Sequence, residues 1–154
     1  FKLLNTNWSL VLAGRAGNYG YKEIVDLTKD PEIKDRIILL SYVGQKYYTS
    51  LVAAANIYAF PTKFEGFGIT ILEAMGSGVP VAWSDLSVLH EVGGSAAIFF
   101  DPNNPRDIAS QLQKLIDNPE LRQELSKKGI EQAKKFSWEK CTQETLDYIL
   151  DKKE

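Results

Sequence analysis

The sequence holds one cysteine, Cys141, and one histidine, His90, among its 154 residues. A lone cysteine cannot form an internal disulfide or a cysteine-rich metal site, and a lone histidine excludes any site that needs two imidazoles. A serine–histidine–aspartate triad would have to use His90. No apolar run approaches the ~20 residues that a membrane helix requires, and no basic-then-apolar segment opens the chain as an export signal does. The expected compartment is therefore the cytoplasm.

An excess of positive charge is also lacking. Lysine and arginine together number 18 and aspartate and glutamate 20, which gives a net charge of -2. A protein that binds a nucleic-acid backbone would carry a basic surplus, so nucleic acid is not an expected partner. The residues are 44% apolar and 25% charged, which is typical of a globular domain. At this length we expect a single domain over residues 1–154.

Short apolar runs alternate with helical patterns as far as residue 102. The pattern predicts strands at residues 10–13, 37–40, 57–60, 79–83 and 97–100, and helices at residues 19–28, 46–55, 70–77 and 87–92. Short strands that are apolar on both faces are typical of a buried parallel sheet. The alternation therefore predicts an α/β fold with a Rossmann-like, doubly wound parallel sheet. The remainder is predicted to be helical, with Asn104 capping a helix that opens at Pro105.

Residues 60–80 carry the most informative pattern, which reads strand, glycine loop, helix, turn, strand. Ligands of open α/β sheets lie beyond the carboxyl ends of the strands. Gly66 and Gly68 allow the backbone to approach a ligand closely, and a loop that enters a helix presents free N–H groups at the positive end of the helix dipole. The segment is thus a candidate anion site suited to phosphate. A simple tight turn explains the glycine pair equally well.

Two carboxylates sharpen this interpretation. Glu65 lies in the loop just before the helix, and Glu73 lies inside the helix. From Gly68 to Glu73 a helix rises roughly 7.5 Å, about the distance from a phosphate to the far side of a ribose. A carboxylate can accept hydrogen bonds from both hydroxyls of such a diol. The alternative is that Glu73 only faces solvent, but its apolar neighbours predict a largely buried helix, in which a lone carboxylate needs a reason.

The same residues carry a family resemblance. The run Phe-Glu-Gly-Phe-Gly-Ile-x-x-Leu-Glu-Ala-Met-x-x-Gly-x-Pro-Val, from Phe64 to Val81, resembles the signature of retaining glycosyltransferases with the GT-B fold, the group often called glycosyltransferase family 4. Further motifs similar to those of the family follow in its order at residues 10–14, 54–62, 84–85, 91–94, 100–102 and 136–139. The resemblance therefore extends over nearly the whole chain.

The resemblance implies a role for each part of the site. Glu65 would lie beside the donor sugar at the reaction centre, and Glu73 would bind the ribose of a nucleoside diphosphate sugar, with UDP or GDP as the nucleotide. The loop backbone would contact the sugar hydroxyls and the diphosphate through Gly66, Phe67, Gly68 and Ile69. The nucleobase would lie near Ser41, Tyr42, Val43 and Gly44. Gly14 and Arg15 end another strand, where Arg15 is a candidate phosphate contact or a solvated turn residue. No metal or other cofactor is implied.

The chain also departs from the family pattern. The arginine and lysine that neutralise the diphosphate belong to a βα unit that would precede residues 10–13, and this unit and the N-terminal acceptor-binding domain are both missing. The chain begins at Phe1, shortly before a strand, which also suggests a fragment. We therefore expect the donor-binding half of an enzyme that moves a sugar to an acceptor hydroxyl with retention. This half alone is expected to be inactive, and any membrane-surface association would come through the missing part.

Other classes remain as alternatives. Another GT-B sugar-nucleotide enzyme, such as an epimerase, would share the fold but need different acid–base residues. A non-catalytic signalling module of the flavodoxin type would have clustered acids after its first strand, where this chain has Arg15. A structural domain that had lost catalysis would not be expected to keep both Glu65 and Glu73. The sequence does not identify the base, the sugar or the acceptor.

Overall fold

The computed structural model of the chain describes residues 1–17 and 20–151. Strands and helices alternate in this part, and three helices follow the last strand. The strands are β1 (Leu10–Ala13), β2 (Ile37–Leu40), β3 (Tyr58–Phe60), β4 (Val81–Ser84) and β5 (Ala97–Phe100). The helices are α1 (Tyr21–Thr28), α2 (Gln45–Ala53), α3 (Ile69–Gly76), α4 (Ser87–Gly93), α5 (Pro105–Asp117), α6 (Pro119–Ala133) and α7 (Trp138–Asp151).

The predicted strands and helices are confirmed, with ends that differ by one or two residues. Tyr19, the first residue of the first predicted helix, lies outside the described residues. The largest strand difference is at β4, which was predicted to begin at Val79. Instead, the Val79 N–H donates to Ala74 O (3.1 Å) after Gly78, whose φ is 75°. Val79 therefore closes the end of α3, and the strand begins at Val81.

Strand pairing is parallel throughout but divides into two sheets. In the first, β1 pairs with β2, with Leu10 opposite Ile37. In the second, β4 lies between β3 and β5. The sequence predicts one sheet, so the parallel α/β architecture is confirmed and the division is a difference. Among residues 1–17 and 20–151, no strand ladder joins the pair β1–β2 to the three strands β3, β4 and β5.

The core lies on both faces of β4, whose residues are all buried. Alternate side chains of a strand point to opposite faces. Trp83 accordingly packs with Ile71 and Met75 of α3 in one buried cluster, whereas Ala82 packs with Leu115 of α5 in another. The first of these clusters anchors α3, the helix on which the predicted site depends.

The strands β1 and β2 are less covered than the sequence predicts. Val11 is 41% exposed and Ile38 is 47% exposed, although both belong to runs that are apolar on both faces. The expectation of a fully buried strand is therefore wrong for this pair and correct for β4. The reason is that no second layer of described residues covers these side chains.

Asparagine caps begin two of the C-terminal helices. Asn104 Oδ1 accepts from the N–H groups of Arg106 (3.1 Å) and Asp107 (3.2 Å), which confirms the predicted cap. Asn118 Oδ1 accepts from Leu121 N–H (2.9 Å) at the start of α6. These caps fix where α5 and α6 begin.

Helix α6 packs against α3, whereas α7 is exposed along its described length. Ser126 Oγ donates to Gly78 O (2.6 Å), at the turn that ends α3. Gly129 lies against Met75 of α3, where an added Cβ would be 3.3 Å from Met75 Cγ. Within the described residues, none of the helices has both the length and the apolarity needed to cross a bilayer.

Candidate functional site

The glycine loop joins the carboxyl end of β3 to the amino end of α3, as predicted. Gly68 has φ 93°, in the left-handed region that favours glycine. A Cβ at this position would lie 3.0 Å from Ile71 Cδ1 and 3.1 Å from Leu89 Cδ2. Conformation and space therefore both require glycine here, and the resulting turn directs the backbone into α3.

The first turn of α3 presents backbone donors. Gly68 O accepts from Ile71 N–H (3.0 Å) and Leu72 N–H (3.3 Å), which closes the first helical turn. Among the residues that the structure describes, the N–H groups of Gly68, Ile69 and Thr70 have no hydrogen-bond acceptor. Such unpaired donors at the positive end of a helix dipole favour an anion. These three N–H groups are therefore the candidate anion contacts of the loop.

Glu65 is half-buried and folds back on its own loop. Its Oε1 accepts from the N–H groups of Gly66 (3.1 Å) and Phe67 (3.4 Å). These are two of the four backbone groups that the resemblance assigns to the donor. The Glu65 carboxylate thus accepts hydrogen bonds from N–H groups that are predicted to contact the ligand. The sequence did not predict this contact.

Glu73 lies on the exposed side of α3, while Ile71, Ala74 and Met75 of the same helix are buried. The predicted burial of the helix is confirmed for those neighbours but not for Glu73 itself. Its carboxylate is accessible to a ligand, and the solvent-facing alternative fits this placement too.

Tyr48 of α2 is a neighbour of Glu73 that the sequence analysis did not identify. Burial raises the pKa of the Tyr48 hydroxyl above its ordinary value, and the nearby Tyr58 hydroxyl and Glu73 carboxylate raise that pKa further. Only the packing of α2 against α3 reveals this arrangement, because Tyr48 and Glu73 share no sequence motif.

The remaining predicted residues lie at the carboxyl ends of β1 and β2. Gly14 and Arg15 line a cleft of about 180 Å³ together with Leu12, Ala13, Tyr21, Ile24, Leu39 and Leu40. The Arg15 guanidinium lies over the Tyr42 ring, 5.0 Å from its centroid. Val43 and Gly44 are half-buried, and Gly44 O accepts from Tyr47 N–H (2.9 Å) at the start of α2. The structure therefore brings Arg15 and Tyr42 together, as a cation–π pair.

Two further features lie apart from the predicted site residues. A larger open cleft of about 560 Å³ is lined by Leu3 and by residues of α5, and it contains none of those residues. His90 is exposed on α4, where its Nε2 lies 2.5 Å from Asp85 Oδ1 and its ring stacks on Phe99. In the described part of the chain, no group of three or more histidine, cysteine, aspartate or glutamate side chains is arranged to hold a metal ion.

Parallel strands, a glycine loop at their carboxyl ends and an open helix N-terminus define a Rossmann-like α/β domain. The chain belongs to the family described as glycosyl transferases group 1, whose profile matches residues 1–132.

The chain matches only part of the length of its curated relatives. The O-antigen chain mannosyltransferase B of Escherichia coli is 40% identical over 108 residues, which are 70% of this chain and 28% of that protein. The D-inositol 3-phosphate glycosyltransferase of Nocardioides is 35% identical over 107 residues, which are 68% of this chain and 23% of that protein. The chain thus spans about a quarter of the length of these two relatives.

Solved structures share the fold over almost the whole chain. Sucrose-phosphate synthase of Thermosynechococcus elongatus superposes with a TM-score of 0.83 at 23% identity, covering 95% of this chain and 39% of that one. HepE of Anabaena, in complex with UDP-glucose, superposes with a TM-score of 0.86 at 20% identity, covering 97% and 43%. At these identities the similarity establishes the fold, and the expected Rossmann-like, GT-B architecture is confirmed.

Proposed function

We propose that this chain is the donor-binding half of a retaining glycosyltransferase, which moves a sugar from a nucleoside diphosphate sugar to an acceptor hydroxyl. The observation that carries the proposal is the open N-terminus of α3, with Glu65 before it in the loop and Glu73 on its exposed side. Family membership and the UDP-glucose held by HepE support it. Retention and membership of family 4 rest on the sequence motifs alone.

In this proposal each part of the donor has its own partner. The diphosphate lies at the N–H groups of Gly68, Ile69 and Thr70, and the ribose lies at Glu73. The base lies near Val43 and Gly44, with Arg15 turned from Tyr42 towards the phosphates. The bond from the sugar carbon to the diphosphate oxygen breaks, the acceptor oxygen bonds to that carbon, and the hydroxyl proton of the acceptor passes to the departing diphosphate. Catalysis then depends on holding both reactants in register and on stabilising the departing diphosphate.

Donor binding would require Glu65 to change its contacts. Its Oε1 now accepts from Gly66 and Phe67, the groups proposed to contact the sugar hydroxyls. When a sugar hydroxyl takes those donors, the carboxylate turns towards the reaction centre. In this proposal the sugar hydroxyls replace the Glu65 carboxylate as the acceptors of these two N–H groups.

We expect nucleotide binding to be independent of divalent metal, because the diphosphate would be held by hydrogen bonds from the open N-terminus of α3. The test is a thermal-shift screen with UDP, GDP and ADP, followed by calorimetric titration of the preferred nucleotide in magnesium and then in EDTA. The expected result is one preferred nucleotide with the same affinity in both buffers. A large loss in EDTA would contradict the metal-free site, and no binding of any nucleotide to the full-length protein would contradict the proposed function.

We expect residues 1–154 alone to transfer no sugar, because half a cleft holds only one of the two reactants. The acceptor would be bound by a part of the protein outside this chain, which spans 28% of the E. coli relative. The measurement compares transfer by this polypeptide with transfer by the full-length enzyme, using the same donor and acceptor. Turnover by the short polypeptide would disprove the assignment of the chain as a donor-binding half.

A further inference from the structure

The Tyr48 hydroxyl is a buried polar group that lacks a hydrogen-bond partner among the described residues. Its oxygen is shielded from solvent, and in the described part of the chain no hydrogen bond closes on it. Its ring packs against the buried cluster that contains Ile71 and Met75 of α3, so the side chain has little freedom to turn away. A buried hydroxyl without a partner costs free energy, which makes the groups that face it informative.

Two groups face this hydroxyl, Tyr58 on β3 and Glu73 on α3. An ionised carboxylate only accepts hydrogen bonds, whereas a phenol can both donate and accept. Both groups raise the pKa of Tyr48, as acceptors of its proton do, so Tyr48 is the donor and the Glu73 carboxylate is an acceptor that faces it. Burial raises the pKa of Tyr48, which keeps the phenol protonated as the donor that this arrangement needs.

We propose that Tyr48 is the positioning residue of Glu73, and that its hydroxyl donates to the Glu73 carboxylate when that carboxylate accepts the ribose hydroxyls. The inference rests on the proposed role of Glu73. An exposed glutamate samples several rotamers, and a fixed donor behind it selects one of them. Hydrogen bonds of this kind are often long or open in an empty site and close when the ligand binds.

The test is Tyr48→Phe in the full-length protein, which removes the hydroxyl and keeps the ring. We expect the affinity for the preferred nucleoside diphosphate to fall about threefold to tenfold, the usual effect of one hydrogen bond. Because the Tyr48 hydroxyl has no hydrogen-bond partner in the described part of the chain, the melting temperature should stay the same or rise. The matched control is Tyr47→Phe, since Tyr47 is 64% exposed, and this variant should bind as the unaltered protein does.

Two comparisons separate positioning from a merely structural effect. The 2′,3′-dideoxy nucleoside diphosphate lacks the hydroxyls that Glu73 would bind, so Tyr48→Phe should not weaken its binding. In a Glu73→Gln background, Tyr48→Phe should cause less additional loss than it does alone. Equal losses for the ribose and dideoxy ligands, or no loss for the ribose ligand, would overturn the inference.

The same experiment distinguishes this inference from the proposed function. If Glu73→Gln weakens binding and Tyr48→Phe does not, the role of Tyr48 is wrong and that of Glu73 stands. If the unaltered full-length protein binds no nucleoside diphosphate, the proposed function fails and the inference fails with it.

Discussion

Glu65→Gln is expected to reduce the rate of sugar transfer by the full-length enzyme at least about a hundredfold. This is the lower end of the rate loss expected when a carboxylate at the reaction centre is removed. It should leave the affinity for the nucleoside diphosphate unchanged, because that ligand lacks the transferred sugar. The amide oxygen of glutamine can still accept from Gly66 and Phe67, so the loop should keep its shape. The measurements are steady-state transfer and calorimetric titration on one preparation.

Glu73→Gln is the matched comparison and should show the opposite pattern. A carboxylate bonded to two ribose hydroxyls contributes roughly 1.5–3 kcal/mol, so nucleoside diphosphate affinity should fall about tenfold or more. Both changes preserve side-chain size, and Glu73 is exposed, so melting curves should be unchanged. Equal loss of nucleotide affinity in the two variants, or none in Glu73→Gln, would disprove this division of roles.

Gly93→Ala is expected to destabilise the fold by about 3 kcal/mol, at the upper end of the usual cost of overpacking. Gly93 is buried at the end of α4, and a Cβ there would overlap Cζ2 and Cη2 of Trp83. The Trp83 ring is itself fully buried in the core cluster beside α3, so it has no free space to enter. Chemical denaturation measures the loss directly.

Gly76→Ala is the control for this substitution, since Gly76 also ends a helix. A Cβ at Gly76 would lie 3.8 Å from Ala133 Cβ, which is ordinary contact, and the residue is exposed. Alanine favours helix over glycine, so the variant should be as stable as the unaltered protein or slightly more stable. If Gly93→Ala were equally well tolerated, the packing of α4 against Trp83 would be wrong.

The features that were predicted from the sequence are those that depend on neighbouring residues. The glycine loop and the position of α3 follow from the requirement for glycine at Gly68, and the start of α5 follows from the Asn104 cap. The strands follow from short apolar runs. These features depend on residues only a few positions apart, so one sequence was enough to find them.

Contacts between distant elements were not predictable in the same way. Tyr48 and Glu73 meet only because α2 packs against α3, and no periodicity records that packing. The exposure of Val11 and Ile38 likewise depends on what covers the sheet, because a buried strand and an exposed strand can have the same pattern of apolar residues. The return of Glu65 to its own loop is a choice of rotamer, which residue type alone does not determine.

Every described strand except β4 has one edge without a ladder partner, which has a consequence for handling the protein. An unpaired strand edge is a template on which another chain can add a strand. In the smaller sheet, Val11 of β1 and Ile38 of β2 present apolar side chains to water, which strengthens such an encounter. Intermolecular strand pairing, and with it concentration-dependent aggregation, is therefore the expected failure mode of residues 1–154 prepared alone. A polypeptide segment that covers these edges in a longer protein would suppress it.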